Sequence, residues 1–214
     1  MRTKSPDAHQ RSFDFRTWGG VRSGAGPKLR RPRPAAPHRP RVEVRPYHPV
    51  HATVRVLAHV WNLRSQRSFA VIHRALSGVR RRPDFRVTHF SVQGNHVHLI
   101  VEADGARALA TGMRALSIRI ARGLNAMMGR TGPIFEDRYH AHPLKTPAEA
   151  RNAMHYVLGN FASHAERRGE PVRDGFVDPF SSAASKGPRS TQTSFWVEPL
   201  TSAPATWLLR TAQT

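Results

Sequence analysis

The stretch FRVTHFSVQGNHVHLIVE, residues 85–102, contains two runs in which apolar and polar side chains alternate. Alternation with a period of two residues is typical of β-strands. The pair Gly94-Asn95 separates the two runs, and both residues tolerate the positive φ angles of a tight turn. The stretch therefore predicts an antiparallel hairpin, with strands over Phe85–Gln93 and His96–Glu102.

Helices are predicted on both sides of this hairpin. Apolar residues recur at helical intervals in Arg67–Val79 and, most clearly, in Arg107–Met127. In the second helix these residues are Leu109, Met113, Leu116, Ile120, Leu124 and Met127. Its arginines lie on the opposite face, so one side of this helix is predicted to pack and the other to be solvated.

Two further strands and a last helix complete the order. Val50–Ala58 is a β-type run, and Phe135–Lys145 is a weaker one. Thr146 and Glu149 form a capping box with a proline between them, which predicts a helix running to about His164. The order β-α-β-β-α-β-α predicts an α+β fold of the ferredoxin-like split βαβ type. Such a fold has a four-stranded antiparallel sheet with helices on one face, here with an additional C-terminal helix.

The composition points to a polyanionic partner. The chain has 214 residues, with 34 Lys and Arg against 14 Asp and Glu, and a formal net charge of +20. Nucleic acid is the commonest cellular polyanion. The absence of cysteine excludes a disulfide scaffold and a thiolate metal site. No apolar run is long enough to span a membrane and no secretory signal is evident, so we expect a cytoplasmic protein.

The composition also divides the chain into three regions. Residues 1–49 form a basic arm rich in Gly, Pro and Arg, which we expect to be largely disordered. Residues 50–164 form the regular domain. Residues 165–214 form a C-terminal extension that we expect to be mostly irregular, in which Phe195-Trp196 and Trp207-Leu208-Leu209 are apolar enough to dock.

The candidate chemistry begins in the second strand of the hairpin. His96 and His98 share one face of a strand, with Cα atoms roughly 7 Å apart, a spacing at which two imidazoles can converge on one divalent ion. Val97, Leu99 and Val101 face the other way, towards the helices, so we expect the histidines on a sheet face left free for a ligand. The alternative is two ordinary surface histidines.

The last helix carries a second polar line. Asn152, Tyr156 and Asn160 are spaced i, i+4 and i+8, at the partly exposed margin of the apolar stripe. Tyr156 is either a packing residue with its hydroxyl in water or a nucleophile. With Mg²⁺ or Mn²⁺ on the histidine pair, a phosphate of single-stranded DNA would be open to attack by the phenol, which gives a covalent phosphotyrosine.

Three other candidates stay open. Tyr139 is the rival nucleophile, although on a strand it is more typical of a structural or base-stacking residue. His140 and His142 form a second His-x-His pair, for which we favour a surface role. Glu102 shares the face of the histidine pair, either as a supporting group or as a strand end at solvent.

The residues from His48 to about Ser182 resemble the REP-associated tyrosine transposases, a branch of the single-tyrosine HUH transposases. The resemblance rests on HPVHATVRV at 48–56, HFSVQGNHVHLIVEAD at 89–104, GMRALSIRIARGLN at 112–125, GPIFEDRYHAHPLKTPAEARNAMHYVLGN at 132–160 and DPFSS at 178–182. GGVRSGAGP at 19–27 resembles the Gly-rich arm ahead of this domain. The residues after DPFSS depart from the Trp-rich ending of many relatives.

The resemblance implies that His96 and His98 are metal ligands, that Tyr156 is the nucleophile and that Asn160 can supply a third ligand to Mg²⁺ or Mn²⁺. It implies a transposase, an endonuclease and strand transferase that binds hairpins of palindromic repeats and nicks adjacent single-stranded DNA. It also implies a bacterial, nucleoid-associated protein that acts as a monomer or homodimer. The alternative is a catalytically inactive nucleic-acid-binding regulator on the same fold.

Basic and amide side chains distributed over the chain are the predicted DNA contacts. In the domain these are Arg114, Arg119, Arg122, Arg138, Lys145, Arg151 and Asn152, and in the arm Arg22, Lys28, Arg30 and Arg31. We expect the arm either to reach into a groove of a DNA hairpin or to add affinity that falls with salt.

Overall fold

The computed structural model describes residues 43–170, 172–184 and 200–212. Most of the predicted basic arm lies outside these residues, and so do its predicted DNA contacts Arg22, Lys28, Arg30 and Arg31. Phe195-Trp196 also lies outside them. The description that follows therefore covers the regular domain and two parts of the C-terminal extension.

The described chain forms four strands and four helices. They are β1 (Val50–Arg55), α1 (Gln66–Val79), β2 (Phe85–Val92), β3 (His96–Ala103), α2 (Ala106–Met127), β4 (His140–Pro143), α3 (Pro147–Arg167) and α4 (Trp207–Ala212). The strands form one sheet in the order β2-β3-β1-β4, and every neighbouring pair is antiparallel. The predicted ferredoxin-like α+β fold is confirmed.

The last strand is shorter than its sequence pattern indicates. A strand was predicted over Phe135–Lys145, but regular pairing with β1 covers only His140–Pro143. Phe135 makes an isolated bridge to Val56, and the chain between the two contacts turns away from the sheet. Alternation alone did not reveal this interruption.

One face of the sheet packs against α1 and α2 and forms the main core. Val97, Leu99 and Val101 of β3 are all buried in it, as the sequence predicted. The packing is tight, because a Cβ atom added to Gly112 of α2 would overlap the ring of Phe85. Glycine at this position therefore lets the helix backbone lie directly on the sheet.

The opposite face packs against α3 and α4, and this corrects the prediction that it is left free. Ile100 of β3 belongs to a second apolar cluster that includes Val157 of α3 and Leu209 of α4. The apolar stripe of α3 needs a surface to bury, and the alternate residues of β3 supply it. His98, on the same face, is consequently only 5% exposed.

The described parts of the C-terminal extension pack onto the domain. Arg64 makes two hydrogen bonds to the buried carboxylate of Asp178, at 2.8 and 2.9 Å. Leu208 and Leu209 are buried against α3, whereas Trp207 is 64% exposed. Docking of this short segment, which the sequence left open, is therefore observed. None of the described helices is long and apolar enough to cross a membrane.

Candidate active site

The histidine pair lies at the start of β3, beside β1. Across the two strands, Arg55 pairs with His96 and Thr53 pairs with His98. The two histidine rings lie on the same face with their centroids 4.7 Å apart and their planes nearly perpendicular. The predicted placement of both imidazoles on one face is therefore present in the fold.

His98 is enclosed on one side by polar groups of β1. Its Nδ1 atom lies 3.1 Å from Thr53 Oγ1 and 3.2 Å from His51 Nε2. Its Nε2 atom is buried and has no hydrogen-bond partner among the described residues. Burial, reinforced by His96, His51 and His164, lowers the pKa of His98 to about 3. The ring is therefore neutral at pH 7, the form that binds metal ions.

His96 is held by its neighbour in the hairpin turn. Its Nδ1 atom lies 2.8 Å from Asn95 Oδ1, which can only accept a hydrogen bond. His96 Nδ1 therefore carries the proton, and Nε2 keeps its lone pair. Burial lowers the pKa of His96, with further contributions from Arg55 and His164, so this ring too favours the neutral form.

α3 brings the candidate nucleophile to the histidines. The ring of Tyr156 meets His98 edge-on with a centroid separation of 5.2 Å, and it meets His51 at 5.8 Å. Tyr156 is 50% exposed, so one side of the phenol is open to a substrate. Burial lowers the pKa of His51 to about 4, with smaller contributions from His142 and His140.

The start of α3 is fixed by the predicted cap. Thr146 Oγ1 accepts from the backbone N–H of Glu149 at 3.1 Å. The Glu149 carboxylate accepts from the backbone N–H of Lys145, one residue before the cap, at 2.6 Å. These two bonds define where the helix begins and therefore which of its residues face the sheet.

The rest of the polar line on α3 is divided between surface and interior. Asn152 is exposed, but Asn160 is only 2% exposed, which corrects its predicted position at a partly exposed margin. α3 lies across β2 and β3, and its second half is thereby covered. Neither polar atom of the Asn160 amide has a hydrogen-bond partner among the described residues.

These unpaired polar atoms fit a divalent cation. A buried polar atom without a partner costs roughly 1–3 kcal/mol, a cost that a bound ion would remove at His98 Nε2 and at the amide of Asn160. Within the described ranges, no group of three or more His, Cys, Asp or Glu is placed to hold a metal. The donor set that fits is therefore His96, His98 and an amide, completed by water or substrate.

The other sequence candidates lie elsewhere or serve the fold. Tyr139 packs against the main core, so the tyrosine that meets the histidine pair is Tyr156. Glu102 is buried, and its carboxylate accepts from the backbone N–H groups of Ala205 and Thr206. Glu102 thus anchors the C-terminal segment and does not end its strand at solvent. His140 and His142 are exposed on β4.

The predicted DNA contacts fall on different sides of the sheet. Arg114, Arg119 and Arg122 project from α2, the helix that covers the face opposite the histidines. Lys145 and Arg151 are exposed at the start of α3. The exposed residues Asn152 and Arg138 lie on α3 and in the segment before β4.

Four residues near the histidines were not singled out from the sequence: His51, Thr53, Arg55 and His164. Alternation in the first strand places the first three on its polar face. Only the register between β1 and β3 shows that they meet the histidine pair. His164 lies eight residues after Tyr156 on α3, beyond the part of the helix on which the sequence reading concentrated.

Comparison with known proteins supports the fold. No protein family model matches the chain, and no curated protein sequence matches it. A solved structure of a REP-associated tyrosine transposase bound to a REP hairpin is similar, with a TM-score of 0.53 and 19% sequence identity. The match covers 78% of this chain and 95% of that chain. The protein therefore shares the α+β fold of that transposase.

Proposed function

We propose that the protein is a metal-dependent endonuclease and strand transferase that acts on single-stranded DNA through a covalent phosphotyrosine. One observation carries this proposal. A half-exposed tyrosine, Tyr156, stands edge-on to a neutral, buried histidine, His98, whose Nε2 atom has no partner among the described residues. A protein that only binds nucleic acid has no need of this arrangement.

The covalent step uses the phenol oxygen of Tyr156 as the nucleophile. That oxygen forms a bond to the phosphorus of one phosphodiester, and the bond between phosphorus and the leaving sugar oxygen breaks. The phenol proton passes to solvent, and the leaving oxygen takes up a proton to become a free hydroxyl. The energy of the phosphodiester is kept in the phosphotyrosine, so attack by a second hydroxyl rejoins the strand and releases Tyr156.

The donor set would hold Mg²⁺ or Mn²⁺ through His96, His98 and Asn160. When bound, such an ion polarises the phosphate and stabilises the negative charge of the transition state. Two imidazole nitrogens suit Mg²⁺ less well than an all-oxygen site would. We therefore expect Mn²⁺ to support the reaction at lower concentration than Mg²⁺.

The proposed substrate is single-stranded DNA next to a hairpin formed by a palindromic repeat. The net charge of +20 suits a polyanion. The transposase with a similar fold is bound to a REP hairpin. Transposition of DNA between such repeats is the biological role that this chemistry would serve.

The test uses a labelled oligonucleotide with a palindromic hairpin and a single-stranded flank. The full-length protein is incubated with it in Mn²⁺, and a covalent protein–DNA band is sought on a denaturing gel. We expect a band with the wild type and with the control Tyr139→Phe, and no band with Tyr156→Phe or after chelation of the metal. The control shares the phenol chemistry but packs against the main core.

A band that persists in Tyr156→Phe would overturn the assignment of the nucleophile. Binding to several hairpins without any covalent band would overturn the enzymatic proposal. That second result would favour the inactive nucleic-acid-binding regulator.

A further inference from the structure

The two candidate ligand histidines are held in different ways. The proton on His96 Nδ1 is fixed by Asn95, its neighbour in sequence, at 2.8 Å. His98 has no such neighbour. Its Nδ1 atom instead lies 3.1 Å from Thr53 Oγ1 and 3.2 Å from His51 Nε2, both on β1. The environment of His98 is thus supplied by a strand more than forty residues away in the chain.

These contacts bear on the tautomer of His98. An imidazole binds a cation through Nε2 only when that atom carries no proton. A proton on Nδ1 finds an acceptor in Thr53 Oγ1 or in His51 Nε2. A proton on Nε2 would be buried, with no acceptor among the described residues. Both comparisons favour the tautomer with the proton on Nδ1.

We propose that Thr53 and His51 are positioning residues that hold His98 in its Nδ1–H tautomer and so direct the lone pair of Nε2 towards a divalent cation. The inference rests on the proposed function for the identity of the bound ion. The hydrogen bonds themselves belong to the metal-free protein. Supporting partners of this kind commonly orient metal-binding histidines.

The two residues differ in what else they touch. Thr53 lies directly across from His98 in the register of β1 and β3. His51 lies one pair further along and also meets the ring of Tyr156 at a centroid separation of 5.8 Å. A change at His51 therefore alters the surroundings of the nucleophile as well. Thr53→Val, which keeps the shape and removes the hydroxyl, is the sharper probe.

The first measurement is made on the metal-free, full-length protein labelled with ¹⁵N in histidine. Long-range ¹H–¹⁵N NMR spectra distinguish the two tautomers, and the spectrum of His98→Gln identifies the His98 signals. We expect the Nδ1–H tautomer in the wild type and in Thr53→Ser, which keeps the hydroxyl. In Thr53→Val and in the double variant Thr53→Val/His51→Leu we expect a shift towards the Nε2–H tautomer.

The second measurement is the affinity for Mn²⁺ alone, by calorimetric titration. Loss of an outer hydrogen bond to a ligand histidine typically lowers metal affinity by about 10–100-fold. We expect about tenfold in Thr53→Val, more in the double variant and near wild-type affinity in Thr53→Ser. His142→Gln is the matched control, because His142 is an exposed histidine paired with His51 on the other side of β1.

Two results would overturn the inference. One is an Nε2–H tautomer of His98 in the metal-free wild type, and the other is an unchanged tautomer in Thr53→Val. If the double variant does not fold, as judged by circular dichroism, the single variant decides. The covalent-band assay remains separate. A wild type that gives no band but shows the expected tautomers would remove the proposed function and leave this inference standing.

Discussion

β3 presents two different surfaces on alternate residues. Leu99 and its neighbours on one face lie in an apolar core beneath α1 and α2. On the other face, His98, Ile100 and Glu102 lie beneath α3 and α4 and mix polar with apolar groups. One strand thus contributes to stability on one side and to a candidate site on the other, because successive side chains point to opposite faces.

The second face is itself divided. Glu102, near the end of β3, accepts hydrogen bonds from Ala205 N, Thr206 N and Thr206 Oγ1, and it lies 3.3 Å from the guanidinium of Arg86. His98 Nε2 and the Asn160 amide, in contrast, have no partner in the described part of the chain. Burial is nearly the same in all three residues. What separates a structural anchor from a candidate ligand site here is whether the polar atoms are satisfied.

The largest expected effect contrasts two adjacent residues of β3. Leu99→Ala should lower the free energy of unfolding by about 2–5 kcal/mol, because it opens a cavity in the main core. His98→Leu should cost much less, because it replaces a nitrogen that has no partner, yet it should abolish Mn²⁺ binding. Urea unfolding followed by circular dichroism measures both variants. Equal destabilisation by the two would show that His98 serves mainly the fold.

A second contrast compares two arginine–carboxylate pairs with the same 2.8 Å separation. Arg64–Asp178 is buried, and the Arg64 guanidinium also lies 3.8 Å from the ring centre of Phe161, next to Asn160 on α3. Arg168–Glu170 is exposed on both sides. Asp178→Ala should cost about 3 kcal/mol, because it leaves a largely buried charge unpaired.

The matched control for that variant is Glu170→Ala, which should leave stability unchanged. Thermal unfolding measures both, and hydrogen exchange shows whether residues 178–184 detach. If Asp178→Ala leaves exchange on α3 unaltered, the extension does not support the helix that carries Tyr156. The face of α3 would then be independent of the C-terminal segment.

A third contrast compares the helices on the two faces. Gly112→Ala in α2 should cost about 1–3 kcal/mol, because the added methyl group overlaps the ring of Phe85. Gly159→Ala in α3 meets nothing within 4 Å and should stabilise the protein by up to about 1 kcal/mol through helix propensity. Melting temperatures of opposite sign would confirm that α3 lies less tightly than α2. A loss in both variants would contradict it.

The parts of the fold that local rules govern were predictable from the sequence. The hairpin around Gly94-Asn95, the apolar periodicity of α2 and the cap at Thr146 depend on residues close together in the chain, and each appears in the structure. The placement of His96 and His98 on one face follows from the period of a strand. These features need no knowledge of distant contacts.

The parts that depend on long-range contacts were not predictable. The burial of Asn160 follows from how α3 crosses the sheet, and a helical wheel does not contain that information. The contact of Thr53 with His98 follows from the register of β1 and β3. The role of Glu102 required the position of Thr206, more than a hundred residues away. In each case the residue types were visible in the sequence, but their partners were not.

The smallest expected effects concern the path of DNA over the two faces. If the scissile strand crosses the histidine face, the exposed cations of α3 contact it and those of α2 do not. Each phosphate contact with a single strand contributes about 0.7 to the slope of log affinity against log salt. Lys145→Gln/Arg151→Gln should therefore lower that slope by about 1.4 on an unstructured oligonucleotide, measured by fluorescence anisotropy.

Arg114→Gln/Arg122→Gln is the matched pair on α2 and should leave the slope for the unstructured oligonucleotide unchanged. A duplex hairpin is wide enough to reach past one edge of the sheet, so the same pair is expected to lower affinity for a hairpin ligand. A slope that falls with the α2 pair on single strands would contradict the proposed path. It would place the bound strand on the apolar-core side of the sheet and separate it from Tyr156, because the two helices cover opposite faces of the same four strands.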